Sequence, residues 1–386
     1  MSESYDLIAI GGGPAGTSAA ITAARGGSRV LLLERGRFPR HKVCGEFISA
    51  ESLVLLGWLL AGAKQDLLDQ SLRLSESHVL LDGRSLHIPI DPPAASLARY
   101  DLDLALWEAA RNAGVTALAE TTAQPIEGEN PFRIQTSAGE FLARAVINAS
   151  GRWSNLNLAA APAQGSRWLG LKAHFYGPLV ERSVDLFFFD GGYCGVLPVR
   201  GPDGGLLINA CALFRPGVTA TFEDLFPRHP ILHARSRQWT PAFAPLSTFP
   251  VTFPTPQPVL GLIPNTGDAA GFVDPFVGDG IALALRSGHL AACSLLPFLR
   301  GDWSLGQSLR HYADGYRRSL LPVYRASSRF RKLLSLPRIA RTPLLAAFGN
   351  IPWLRRYLVD STRSKLQTEF GAGRPGETLS APPALP

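Results

Sequence analysis

Residues 5–36, YDLIAIGGGPAGTSAAITAARGGSRVLLLERG, constrain this chain more than any other stretch. An apolar run from Tyr5 to Ile10 leads into Gly11, Gly13 and Gly16 at G-x-G-x-x-G spacing. The small-residue run Pro14–Arg25 predicts a helix, and Val30–Leu33 predicts a second strand that ends on Glu34 and Arg35. Each glycine has a mechanical job in such a unit. Gly11 turns sharply out of the strand, Gly13 lets the backbone approach a pyrophosphate, and Gly16 lets the helix pack closely. The helix N-terminus, with Pro14 and Ala15 in its first turn, offers oriented N–H groups and positive dipole to phosphates. Glu34, 18 residues after Gly16, is placed to accept hydrogen bonds from a ribose. The order strand, turn, helix, strand, acid predicts a bound dinucleotide.

A second cluster lies near the other end, in GLIPNTGDAAGFVDPFVGDGIALALRSGHLAAC, residues 261–293. Gly267-Asp268 closes an apolar run, and Pro275-x-x-Gly278-x-Gly280-Ile281 opens an alanine-rich helix. A short acid at a strand end can hold ribityl hydroxyls. A helix N-terminus stripped of side chains by Gly278 and Gly280 can present N–H groups to a flavin pyrimidine ring, which gains negative charge on reduction.

These two clusters, about 250 residues apart and in this order, resemble the FAD-dependent hydroxylase (class A flavin monooxygenase) superfamily, near its geranylgeranyl reductase and flavin halogenase branches. The resemblance covers about residues 5–300 and implies non-covalently bound FAD. RYDLDLAL, residues 99–106, fits the superfamily's R-x-x-L-D-x-x-L pattern, so Arg99 is expected to face the flavin diphosphate. FPRHKVCGEFIS, residues 38–49, is similar to the loop after the second strand in the reductases and halogenases. There the backbone around Cys44-Gly45-Glu46 is expected beside the isoalloxazine, with Arg40 or Lys42 near phosphate. Ala123 is a further candidate cofactor contact. Cys44 by itself more often means a small buried thiol than a redox group.

The chain also departs from its relatives. The hydroxylases carry A-D-G-x-x-S in mid-chain, where this sequence has Ala149-Ser150-Gly151-Arg152-Trp153-Ser154. That aspartate is associated with flavin and pyridine-nucleotide contacts, so NADH or NADPH is an uncertain electron donor here, and a separate reductase is the alternative. The halogenase lysine has no counterpart in the expected aromatic context, since Lys64 sits in the polar turn AGAKQDLLDQ. The reductases carry Y-x-W-x-F-P, where Tyr193 and Pro198 survive and Gly195 replaces the tryptophan. Tyr193 is the candidate substrate-facing residue. No residue is assigned a catalytic role.

Four cysteines, Cys44, Cys194, Cys211 and Cys293, show no C-x-x-C pairing, which predicts a reducing compartment and no structural metal. His229 and His233 sit four apart, but Pro230 intervenes and no third ligand is evident. With no room for a signal peptide before the first strand, the chain is expected to be cytoplasmic. The uncharged stretch Gln238–Gly267 holds seven prolines, which exclude a spanning helix and predict edge strands and turns. The net charge of +7 is concentrated: residues 300–366 hold 14 Lys or Arg against three acids, interleaved with Leu, Phe and Trp. Two readings follow, a helical cap with a solvated basic face and a peripheral contact with the inner face of a membrane. Nothing resembles a nucleic-acid reading motif.

The expected architecture is α/β: a Rossmann-like, glutathione-reductase-type FAD-binding domain from 1–70, 96–160 and 256–300. Segments 71–95 and 161–255 supply an inserted, mostly antiparallel β-sheet substrate domain, with a hairpin turn at Asp82-Gly83. Residues 301–370 form a basic helical cap and 371–386 a disordered tail. The functional expectation is an FAD-dependent oxidoreductase, with hydroxylation or epoxidation of a largely apolar (aromatic, polyketide-like or isoprenoid) substrate favoured. The alternatives are saturation of lipid double bonds and electron transfer without oxygen chemistry.

Overall fold

The computed structural model describes residues 3–61, 64–152, 156, 167–178, 182–219 and 221–334. A six-stranded sheet runs in the order Thr116–Leu118, Val30–Leu33, Glu3–Ile10, Gly139–Asn148, Phe132–Thr136, Ala123–Glu127. Its first four strands are parallel and the last two turn back antiparallel. Val30–Leu33 is buried at every position, as a parallel strand covered on both faces must be. Ile10 lies level with both Leu33 and Asn148. Three chain segments therefore leave the sheet at one edge: the glycine turn, Glu34, and Ala149-Ser150. This is the C-terminal crevice of a parallel sheet, where ligands bind in such folds.

Two helices pack on this sheet with small residues between them. Pro14–Arg25 lies so close to Gly280–Arg300 that a Cβ on Gly288 would sit 2.0 Å from the Ala15 carbonyl oxygen. The Ser18 hydroxyl donates to the Leu285 carbonyl at 2.7 Å, replacing a water partner in this dry contact. Gly280–Arg300 has the length and composition of a membrane span, yet 72% of its apolar window is buried inside the protein. It reads as the central helix of the core.

The second sheet has nine strands. They run Thr240–Pro241, Trp168–Tyr176, Leu206–Phe214, Gly192–Arg200, Ser183–Phe189, Leu72–Leu81, Arg84–Ser96 and Phe47–Ile48, with Leu246–Val251 also paired to Trp168–Tyr176. Pairing is antiparallel except between Ser183–Phe189 and Leu72–Leu81. The hairpin forms at Asp82-Gly83, both at positive φ (54° and 78°), the twist that a two-residue turn needs. The proline-rich stretch supplies short strands and turns, as its composition requires. On one face, Phe175 and Phe187 meet Phe222, Phe226 and Trp239 from the short helices and turns after Phe214.

Two helices close the described chain. Leu305–Ser319 begins with a full capping box between Ser304 and Gln307. Leu321–Leu334 exposes Arg325, Arg329 and Lys332 along one stripe. The remainder of the expected basic cap, the expected tail at 371–386, and Trp153 and Ser154 of the mid-chain motif lie outside the described residues.

Candidate functional site

A cavity of about 740 Å³ opens at the sheet crevice and is lined from both sheets. The glycine turn forms one end. Gly11 holds φ +116°, and a Cβ there would lie 2.2 Å from the Ala149 carbonyl oxygen. A Cβ on Gly16 would lie 1.8 Å from the Gly11 carbonyl oxygen. These two positions are closed to side chains by packing. Gly13 differs: the nearest atom to a Cβ there is Arg99 Nη2 at 3.9 Å, so its backbone borders open space in the cavity. The helix starting at Pro14 has no side-chain cap, leaving its first N–H groups available to an anion. Arg99 is held by a bidentate pair to buried Asp103 (2.6 and 2.8 Å), which fixes a positive charge beside this loop.

Glu34 departs from the sequence expectation. Its carboxylate accepts from the Gly12 N–H (2.8 Å), the Gly36 N–H (2.7 Å) and both Arg40 terminal nitrogens (2.6 and 2.9 Å). Those four donors occupy the acceptor sites a carboxylate has. Arg40 therefore sits on Glu34, stacked over Phe38, and not on the glycine loop where phosphate was expected. Burial would raise the Glu34 carboxyl, but Arg40 and the two N–H groups hold it at about 2. Lys42 also lines the cavity, beside Arg99. Burial lowers its pKa, with Arg40 and Arg99 adding to the effect. Arg35 and Ala123 also line this end.

Gly267 takes φ +57° and opens a short 3₁₀ turn that carries Asp268 into the cavity. Burial raises the Asp268 carboxyl, opposed by the charges of Arg152, Arg99 and Lys42. Arg152 Nε lies 3.8 Å from Asp268, its guanidinium stacks over Phe272, and its Nη1 is buried with no partner. Pro275–Val277 forms a second 3₁₀ turn ending on Gly278 at φ +80°. Gly280 and Ile281 then begin the long helix with no side-chain cap, so a second uncapped N-terminus faces the same cavity.

Between these ends lies Cys44-Gly45-Glu46. Glu46 is a non-glycine residue at φ 61°, a conformation retained only where the surroundings over-determine it. Its carboxylate pairs with the Lys172 ammonium and with His174 Nε2 at 2.7 Å, and it accepts from the Arg99 N–H at 2.8 Å. All three side chains are buried. Burial alone would raise the Glu46 carboxyl, yet Lys172 and His174 hold it at about 2. The Asn209 amide donates to the Gly45 carbonyl at 2.9 Å. The loop is thus fastened from below by side chains that sequence reading did not single out.

The remaining wall is apolar, with Val79, Leu86, Ile88, Leu186, Phe188 and Leu197 from the second sheet. Phe330, Leu333 and Leu334 of the last described helix cover it. Tyr193 does face this region, and its hydroxyl donates to Asp274 at 3.0 Å. Asp274 also pairs with Arg331 at 3.7 Å, and Arg331 stacks over Phe253. Burial pushes the Asp274 carboxyl up to about 6 against the pull of Arg331 and Tyr193. The apolar side of this helix faces inward, and Arg325, Arg329 and Lys332 face solvent.

A parallel-sheet crevice with two uncapped helix N-termini and a glycine turn is the architecture of a dinucleotide-binding protein. Residues 6–152 match a family described as FAD dependent oxidoreductase. Menaquinone reductase of Mycobacterium tuberculosis (strain ATCC 25618 / H37Rv) is 26% identical over 327 residues, 76% of each chain. Digeranylgeranylglycerophospholipid reductase of Methanosarcina mazei is 27% identical over 318 residues, 75% of each chain. The flavin-dependent brominase Bmp2 shares the fold, with a TM-score of 0.77 at 19% identity over 93% of both chains. Residues 6–152 thus resemble FAD-dependent oxidoreductases in sequence, and the chain shares its fold with FAD-dependent halogenases and a geranylgeranyl bacteriochlorophyll reductase-like protein.

Proposed function

We propose that this protein uses FAD to saturate carbon–carbon double bonds in an isoprenoid lipid. The single observation that carries the reading is the pairing of a largely apolar cavity with sequence kinship over three quarters of the chain to two lipid-type reductases. This reverses the order of preference that the sequence motifs suggest, in which oxygen insertion comes first.

The residues present fit the cofactor. The Cβ-free space at Gly13 and the unpartnered Arg152 Nη1 mark where a phosphate chain and a polar ring edge would be received. Gly11, Gly13, Pro14, Ala15, Gly16 and Arg99 would hold the pyrophosphate, with Lys42 close by. Arg35 and Ala123 would hold the adenosine end, where Glu34, its acceptor sites already taken, would fix the Gly12 and Gly36 backbone and Arg40 around it. Gly267 and Asp268 would hold the ribityl chain. Pro275, Gly278, Gly280 and Ile281 would hold the pyrimidine edge, and Cys44-Gly45 would flank the ring. FAD, when bound and reduced, would supply the hydride that an alkene carbon takes up. The chain's part is to orient the alkene against Tyr193 and the apolar wall, and to exclude water from the closed pocket. The basic stripe Arg325, Arg329, Lys332 is suited to an anionic membrane surface, where such a substrate would be met.

The test is anaerobic incubation of the reduced holoprotein with a polyprenyl lipid, followed by mass spectrometry. A gain of two hydrogens supports the reading. Turnover only in air, with oxygen consumed and a gain of one oxygen, would assign the protein to monooxygenation instead.

A further inference from the structure

The face of the second sheet that points away from the cavity carries a histidine pair that the flavin chemistry does not use. His78 and His87 lie directly opposite each other across the Asp82-Gly83 hairpin, and Glu76 stands two residues from His78 on the same face. Glu76 Oε2 lies 3.9 Å from His78 Nε2 and 3.7 Å from His87 Nε2. One ligand atom from each of the three falls within 4.8 Å of the others. Two ligands on one tetrahedral zinc stand about 3.3 Å apart, so Glu76 Oε2 lies within about 0.6 Å of that spacing from both imidazoles, and closing the whole set needs shifts of at most about 1.5 Å.

A second observation is independent of that spacing. On the neighbouring strand, Asp185 lies level with His78, and its Oδ1 is 2.8 Å from His78 Nδ1. A carboxylate only accepts, so Nδ1 carries the proton, and Nε2 is the ring nitrogen turned toward Glu76 and His87, where a metal would be bound. Buried Asp185 is fixed in turn by the Ser183 hydroxyl at 2.9 Å and by Arg235. Carboxylate–histidine–metal triads are built in this way.

We infer that Glu76, His78 and His87 form a binding site for a divalent transition metal, zinc by its ligand chemistry, with a coordination position left open to solvent. The site is not legible in the sequence, because histidines nine apart meet only through the hairpin register. The position has a consequence for the pocket. Ser77, Val79, Leu86 and Ile88 alternate with the three ligands along the same two strands and line the cavity. A bound metal would clamp the hairpin that forms the substrate wall.

The test is calorimetric titration of zinc sulfate into untagged, chelator-treated protein, repeated with His87→Ala, Glu76→Gln and Asp185→Asn. His87 and Glu76 side chains are 55% and 47% exposed, so their replacement leaves the fold intact, and unchanged flavin content checks this. Expected are one zinc per chain in the wild type, affinity lowered at least tenfold in each variant, and visible d–d bands on substituting cobalt in the wild type only. No saturable zinc binding, or wild-type affinity in His87→Ala or Glu76→Gln, would overturn the inference.

Discussion

The Lys172 ammonium rests against the Glu46 carboxylate with neither side chain reached by solvent. Removing one partner strands the other as an uncompensated buried charge. Lys172→Met is therefore expected to cost about 3–5 kcal/mol of stability, read by urea unfolding at neutral pH. A loss under 1 kcal/mol would mean that His174 and the Arg99 N–H satisfy Glu46 without the lysine.

The glycine turn separates a packing role from a binding role. A Cβ on Gly16 meets the Gly11 carbonyl oxygen at 1.8 Å, whereas one on Gly13 meets nothing closer than 3.9 Å. Gly16→Ala should destabilise the protein, and Gly13→Ala should leave its melting temperature nearly unchanged. Equal melting temperatures for the two variants would contradict this assignment.

Two carboxyls should shape stability in opposite pH windows. Glu34 is held at about 2, below its usual 4.5, so its contribution is complete above pH 4.5 and lost as pH falls toward 2. Asp274 is pushed up from 3.8 to about 6, so the folded state favours its protonated form. That contribution is complete below pH 3.8 and lost as pH rises through 6. Chemical unfolding between pH 4 and 6.5 should show a smaller loss of stability with rising pH in Asp274→Asn than in wild type. Parallel profiles would place the Asp274 carboxyl at its ordinary value.

Ser150 stands where the hydroxylases present an aspartate, and its hydroxyl donates instead to Asn148 Oδ1 at 2.5 Å. Direct reduction by NADH or NADPH without substrate is expected to be slow, with faster reduction either after substrate binds or through a separate flavin reductase or ferredoxin-type partner. Stopped-flow loss of the flavin band checks this. Rapid, saturable bleaching by either nucleotide alone would show that the aspartate is dispensable.

Much of the cofactor end was legible because its signals are local. The turn, both helix starts and the hairpin at Asp82-Gly83 each depend on residues a few positions apart. The Glu46 cluster was not, because Lys172 and Glu46 are 126 residues apart and meet only through sheet register. Arg40 illustrates a different limit. Six residues from Glu34, it could reach either the carboxylate or a phosphate, and the choice is made by the fold of the intervening loop. The inward apolar face of Leu321–Leu334 was likewise invisible, since a basic amphipathic helix reads the same over a pocket as on a membrane.

The central claim, that this cavity holds FAD without a covalent link, is tested most directly by flavin content. Purified protein should release FAD near one per chain into the supernatant on acid precipitation. Gly13→Val should fold and release almost none, and Asp268→Ala should bind more weakly by about 1.5–3 kcal/mol. No FAD in the wild-type supernatant after reconstitution, or full FAD in folded Gly13→Val, would contradict the account.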